Sequence, residues 1–437
     1  MKDGDQHRDS ISRRRFIKGA AALTAAATLG SPLARGAGAA ADRPAEPLRV
    51  GVIGCGTRGR IDTNKLLEAM PGARVTAMGD LFPDKLDTCL EFLTGRWPDR
   101  IDVPPSRRFL GLDAFGEVLA ADIDLVLLLA PQFFRPEHFG AAVEAGRHVF
   151  MEKPLAVDPV ALRSIMETAR LADERGLKVV VGTQMWRIAH VVEGMKRLHD
   201  GAIGRVTGGS IFRIDHAMSD WGPKERDPAW SDVEWQIRRF FFIDWLCGDF
   251  MIDHSIHNID LMEFALQARA RECFGVGGRQ SLQGDHTGNI YDHMAIEYAY
   301  EDDLRIQYQG AFMDGVSHRN NQRLVGERGN AYFDFRTFRI ENENGTWEYD
   351  GPGNDPMVAQ FEALERAITR NEPLNDAHRV AEANLTALMG RMSAHTGRAL
   401  SRGWVLNGSR QRLGPERVEL GPYELSPPPR PGITRLV

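Results

Sequence analysis

The chain has 437 residues, 43% hydrophobic and 26% charged, with a formal net charge of −6 at pH 7. That is the composition of a soluble globular protein, and it excludes disordered and fibrous classes. With a pI near 6.1 and no basic stripe interleaved with aromatics, it also excludes a nucleic-acid binder.

The first 41 residues divide into three parts. A charged start ends in Ser12-Arg13-Arg14-Arg15-Phe16-Ile17-Lys18, an apolar stretch runs from Gly19 to Leu29, and small residues follow from Ala37 to Ala41. The apolar stretch is 11 residues, mostly Ala, whereas a bilayer span needs about 20. An export signal with an A-x-A cleavage site is expected, not a membrane anchor. Arg-Arg-x-Phe-x-Lys spacing resembles a twin-arginine signal, which serves proteins folded before export. The expected partner is the twin-arginine machinery, and the expected location is periplasmic or otherwise extracytoplasmic. Four cysteines, at 55, 89, 247 and 273, form no C-x-x-C pair, so neither a zinc site nor a disulfide is expected.

Along the chain, Leu48 to Ile53 predicts a strand and Ile61 to Met70 a helix. Ala73 to Met78 is a second strand, and Pro83 opens another helix. The continuous apolar run from Asp124 to Leu129 fits a strand buried on both faces. Helices at Pro136–Ala145 and Pro159–Glu174 alternate with strands at His148–Met151 and Leu177–Val181. This alternation predicts a doubly wound α/β domain over residues 46–185.

Residues 186–403 read differently. A strand at Val206–Ile214 precedes a long aromatic loop, 215–247, with Trp221, Trp230, Trp235 and Trp245. Met251 to Ala265 is helical. Strand-like runs near 293–300, 304–312, 322–326, 331–334 and 338–341 are joined by short polar turns, and helices close the region at Met357–Thr369 and Val380–Thr396. The expectation is an α+β domain with an open, mainly antiparallel sheet covered by helices on one face. A Pro-rich tail over 404–437 is expected to be extended, either loose or as an arm around a partner subunit.

The chemistry starts at Gly54-Cys55-Gly56-Thr57-Arg58-Gly59, which follows a strand and opens a helix. Gly54 allows the tight turn, Gly56 lets backbone approach a pyrophosphate, and Gly59 permits close helix–strand packing. Asp80 lies 21 residues after Gly59, where a ribose-binding acid belongs. Its carboxylate would accept from ribose hydroxyls and repel a 2′-phosphate, so NAD is expected in preference to NADP. Glu152-Lys153-Pro154 sits at the carboxyl end of a strand, the edge where open α/β sheets bind ligands.

Glycine loop, Ala130-Pro131, Arg135-Pro136-Glu137-His138, Ala145-Gly146-Arg147-His148-Val149 and Glu152-Lys153-Pro154-Leu155 occur in that order. This order resembles the Gfo/Idh/MocA family, named for glucose–fructose oxidoreductase, inositol dehydrogenase and a rhizopine-catabolism protein. The resemblance covers nearly the whole mature chain and is strongest from Leu48 to Gln184. It implies a cofactor site of Gly54, Gly56, Thr57, Arg58, Gly59, Asp80, Pro131, Glu152, Lys153 and Gln184, with Lys153 beside the nicotinamide and a candidate cis bond at Lys153-Pro154. It also implies that Asp253 and His257, four apart on a helix, complete the catalytic set. His257 would take the hydroxyl proton, Lys153 would stabilise the alkoxide, and Asp253 would orient the His or the substrate. His254 is expected to point elsewhere. Arg187 and Tyr291 are substrate candidates, with Trp186, His318 and the aromatic loop as sugar-stacking surfaces. No metal is expected. Family members commonly assemble as homo-oligomers through the open face of the second sheet.

Three functions compete. The first is an NAD-dependent oxidoreductase acting on a secondary hydroxyl of a sugar, glycoside or cyclitol, with a retained cofactor. The second is an exported, redox-neutral NAD-dependent glycosidase. Against it, the Tyr-Pro-Thr-His segment of the α-N-acetylgalactosaminidase-like members is absent. The third is a non-catalytic sugar-binding protein, which the presence of Lys153, Asp253 and His257 disfavours.

Overall fold

The apolar run Leu48–Ile53 forms β1, next to the middle of a six-stranded parallel sheet with order β3-β2-β1-β4-β5-β6. The other strands are β2 (Ala73–Asp80), β3 (Arg108–Leu110), β4 (Leu125–Leu128), β5 (His148–Met151) and β6 (Val179–Val181). A computed structural model describes residues 47–217 and 222–437. The signal segment and Trp221 lie outside the described residues.

Every residue of β4 is buried, as is every residue of β6. Helices cover both faces, so neither strand shows polar alternation. The chain order reverses between β1 and β4, which opens a crevice beyond their carboxyl ends. The glycine loop and the residues after β4 both enter that crevice.

The second sheet has nine strands: β7 (Val206–Asp215), β8 (Glu272–Gly278), β9 (His293–Ala299), β10 (Arg305–Phe312), β11 (Arg319–Gly326), β12 (Gly329–Phe333), β13 (Phe338–Asn342), β14 (Gly345–Glu348) and β15 (Leu400–Ser401). Their order is β14-β13-β12-β11-β7-β10-β9-β8-β15. The β7–β10 pair is parallel and the rest are antiparallel. Inward positions such as Ile306, Tyr308, Ile296 and Tyr298 are buried while their neighbours alternate outward, so one face is packed. The helices Ile256–Leu266 and Ala377–Thr396 cover it. The fold is therefore α/β, a Rossmann-type parallel sheet beside a second, mainly antiparallel one.

Three readings of the sequence need correction. The strand β8 has no signature in the patterning, because Gly275, Gly277 and Gly278 read as breakers. The aromatic loop contains the helices Asp232–Arg238 and Asp244–Cys247. Ser231 caps the first of these by accepting from the Glu234 N–H. The tail is not loose, and its start is helical, Arg402–Asn407. It folds back on its own chain, with Leu413 N donating to Asp158, Gly432 N to the Thr396 carbonyl, and Arg410 N to the carbonyl oxygen of Val437.

The helix Ala377–Thr396 lies between the sheets and is buried almost all round from Ala383 onward. One polar side chain on it fixes the active-site loop. Asn384 Oδ1 accepts from Leu155 N (2.9 Å) and Ala156 N (3.1 Å), and its Nδ2 donates to the Ala156 carbonyl (3.1 Å). These bonds hold the segment just after Lys153-Pro154, whose peptide bond is cis. Asn384→Leu leaves three buried backbone groups unpaired and should destabilise the protein by about 3 kcal/mol, read from urea unfolding midpoints.

Candidate active site

A cleft of about 820 Å³ runs from the glycine loop to the ends of β5 and of the helix Phe250–Asp253. Gly54 forms its first corner. Its φ is +96°, and a side chain there would collide with the backbone of Ala130. Above Gly56, by contrast, the space is open and faces the cleft. The helix Thr57–Ala69 then begins without a side-chain cap and without an acid in its first turn. Its free N–H groups and dipole suit an anion, so these residues fit a dinucleotide pyrophosphate.

Asp80 lines the cleft at the far end of the loop. One carboxylate oxygen accepts from Cys55 N (2.6 Å) and the other from Phe82 N (2.8 Å). Burial raises its pKa while these two bonds oppose the rise. Asp80 thus also braces the turn, a second role that sequence spacing does not reveal.

At the opposite end, Arg58 bridges Asp62 (2.8 Å) and Glu152. The Glu152 carboxylate lies directly over Gly182, where any side chain would strike it. Burial, followed by the charge of Glu152, pushes the Asp62 carboxyl well up. Glu152 therefore reaches the cleft as part of a buried charge network anchored to the cofactor helix.

Lys153 reaches across to Asp253. Its Nζ donates to the Asp253 carbonyl (2.8 Å) and lies 3.8 Å from the Asp253 carboxylate. Gln132 donates to the same carboxylate from the loop after β4, and His254 Nε2 stands 3.0 Å from it. Burial works against ionisation of Asp253, but Lys153 and then His254 outweigh it and hold the carboxyl below its usual range. Asp253, His254 and His257 all line the cleft. The helix expected over Met251–Ala265 breaks at His254–Ser255, and its second part is Ile256–Leu266. His254 lies in the cleft, contrary to the sequence reading, because the backbone stays helical through the junction and a residue three before His257 shares its face.

His257 is buried, and its Nδ1 has no hydrogen-bond partner. Desolvation, then the charge of Lys153 and of Arg213, lowers its pKa well below 6.5, so the ring is neutral at pH 7. Arg213, on β7, lines the same end and pairs with Asp215. Sequence reasoning missed Gln132, Arg213 and His254. Only Gln132 carried a local signal, since it directly follows the Ala130-Pro131 motif.

Gly54, Gly56, Thr57, Arg58, Asp80, Pro131, Glu152, Lys153 and Gln184 also line the cleft. Gly59 packs behind the loop, its Cα against the Gly54 carbonyl. Two candidates are not brought there. Arg187 is buried against Asp376 (2.9 Å) and stacked on Trp186. Tyr291 is buried beside His395 and donates to the Pro429 carbonyl (2.9 Å). Arg187 Nη2 and the Tyr291 hydroxyl thus each bond a group outside the cleft. Trp186 does not line the cleft either, and His318 is an exposed partner of Asp215.

The profile of the oxidoreductase family with an NAD-binding Rossmann fold, Gfo/Idh/MocA, matches residues 48–183. Residues 48–183 thus carry the NAD-binding domain of that family. Residues 10–30 match the twin-arginine translocation signal. An inositol 2-dehydrogenase of Acidothermus cellulolyticus is 24% identical over 64% of this chain and 71% of that protein. A glycosyl hydrolase family 109 protein of Streptomyces coelicolor is 31% identical, over 46% of this chain and 44% of that protein. The matched segment thus spans under half of the Streptomyces relative. Among solved structures, an aldose-aldose oxidoreductase from Caulobacter crescentus superposes with a TM-score of 0.64 at 18% identity, covering 81% of this chain and 99% of the other. That likeness is one of fold.

Neutral buried histidines in the cleft have a thermodynamic consequence. His138, stacked on Phe115 in the cleft wall, is lowered to about 3, by burial first and by the Arg135 charge second. A folded pKa below the ordinary 6.5 means that the unfolded chain binds the proton more readily. Stability is fully present above that value and falls as pH falls. At pH 5 the loss from His138 alone is about 2 kcal/mol. Urea unfolding should be easier at pH 5 than at pH 7.5, and His138→Leu should flatten that difference.

Proposed function

We propose that this protein is an NAD-dependent oxidoreductase acting on a secondary hydroxyl of a sugar, glycoside or cyclitol, with its cofactor held tightly. The observation that carries this reading is the convergence of Lys153, Asp253 and His257 at one end of a cleft whose other end is the glycine loop. The Asp80 carboxylate at the adenosine end favours NAD over NADP, since a 2′-phosphate would meet its charge. NAD held there would supply the hydride acceptor for the carbinol carbon.

The protein's own groups handle the proton and the oxygen. The neutral His257 ring has a free Nδ1 that can accept the hydroxyl proton. The Lys153 ammonium, fixed by the Asp253 carbonyl, stabilises negative charge developing on that oxygen. Asp253 holds Lys153 in place. Burial first, and the charges of Lys153 and Arg213 second, lower the His257 pKa, so the ring enters the step neutral, as a proton acceptor must. His254 is the rival acceptor, because its ring also faces the cleft.

The twin-arginine signal is the reason for proposing a retained cofactor. The machinery carries folded proteins, and free NAD is scarce outside the cytoplasm. The proposed destination is the periplasm or its equivalent. We further propose a nucleotide-binding domain at 46–185, a substrate domain at 186–403, and assembly through the outer face of the second sheet, where Phe274 and Val276 are half exposed.

The glycosyl hydrolase family 109 relative supports a second reading, a redox-neutral glycosidase on the same site. In that case the hydroxyl is oxidised transiently and re-reduced, with loss of an aglycone between.

Purified protein should release NAD on denaturation, and its bound nucleotide should be reduced by one member of a sugar and cyclitol panel. Lys153→Ala should lower the rate of that reduction about 10²–10³-fold. His257→Ala should do the same while His254→Ala does so less, and the reverse ranking would reassign the base. Release of p-nitrophenol from a glycoside without added acceptor would favour the glycosidase. If no panel member reduces the nucleotide or is cleaved, the catalytic reading fails.

A further inference from the structure

A third apolar cluster stands apart from the cores of the two sheets. Three parts of the fold build it. Leu81 and Phe82, after β2, and Phe133 and Phe134, after β4, come from the nucleotide-binding side, where all but Phe133 line the cleft. Val233, Ile237, Ile243, Trp245 and Leu246 come from the segment 222–247, and Leu413, Val418, Tyr423 and Leu425 from the tail. The middle stretch forms a cover. Gly222, Ile237, Arg238 and Phe240 line the same cleft as Asp80, Phe82 and Lys85, at its adenosine end.

Arg238 latches this cover to the nucleotide-binding side. Its guanidinium lies 3.9 Å over the Phe82 ring and pairs with Asp84 (3.1 Å) on the helix Pro83–Arg96. It also bonds Glu234 (3.0 Å) one turn earlier on its own helix. The tail then runs over the outside of the cover. Val233 N donates to the Gly421 carbonyl (3.2 Å), Tyr423 N to Asp232 (3.1 Å), and Gln236 Nε2 to the Tyr423 carbonyl (2.8 Å). Further on, Asn289 bonds Ser426 (3.0 Å) and Tyr291 bonds Pro429 (2.9 Å). The final carbonyl oxygen, on Val437, accepts from Ser409 Oγ (2.9 Å) and from Arg410 N (2.9 Å), closing the tail into a loop.

We infer that residues 409–437 are a cofactor-retaining strap, which presses the cover at 222–247 onto the adenosine half of the bound dinucleotide and slows its release. This rests on the retained-cofactor reading above and supplies its physical means. Residues 222–232 of the cover are exposed or half-buried, so that part has little packing to hold it down without an outer layer. Nucleotide exit from the adenosine end requires parting Arg238 from Asp84 and lifting the strap together with it.

The test is an exchange experiment on the full-length protein. Bound nucleotide is chased with a fluorescent etheno-NAD, and the half-life of exchange is measured for wild type, Tyr423→Ala and Arg238→Ala. A truncation after Ser409 is the larger perturbation, but it uncovers Trp245 and Tyr291 and can unfold the cover. The point variants keep the test decisive, with circular dichroism confirming that they fold. Slow exchange in wild type and at least tenfold faster exchange in both variants is the expected result. Slow exchange in all three overturns the strap while leaving the retained cofactor intact. Exchange of wild type within mixing time overturns both.

Discussion

The contact between Lys153 and Asp253 is the constraint on which the site depends. It joins residues 100 apart in sequence, one at the end of a parallel strand and one at the break of a helix beside the second sheet. A lysine can sit deep in this cleft because a carbonyl and a carboxylate receive it, and the carboxylate stays ionised because the lysine is there. The pair fixes where the parallel sheet meets the helices of the second one, and so fixes where a substrate hydroxyl can lie.

Around that pair the cleft is divided by charge. Arg58, Asp62 and Glu152 neutralise one another near the cofactor helix, and Arg213 with Asp215 forms a second pair near the far end. Among these charges His254 and His257 are held neutral, chiefly because burial penalises the imidazolium. A neutral ring among cations takes a proton reluctantly and gives it up readily. This suits a relay, and it makes the site a source of acid sensitivity in the folded state.

The adenosine end obeys a different rule. There the walls are apolar and aromatic, and enclosure comes from chain that arrives late in the sequence. The same tail that satisfies Tyr291 removes it from substrate binding. A residue that reads as a sugar platform in the sequence becomes an anchor for the strap, because its hydroxyl finds a carbonyl before any ligand can.

The sequence alone determined the parallel sheet, the glycine loop, Asp80, and the Glu-Lys-Pro and Asp-x-x-x-His motifs. Each is a local pattern: apolar runs of strand length, glycines where backbone must turn or be approached, and chemistry at fixed spacing. It also determined the signal, which depends on order and charge and not on folding. What it left open was decided by contacts between distant segments. A glycine-rich stretch became β8 because neighbouring strands supplied its hydrogen bonds. Arg187 withdrew to Asp376, Arg213 arrived from β7, and the proline-rich tail settled on its own chain. Long side chains and irregular backbone take the partner that the fold brings within reach, and only the tertiary structure says which partner that is.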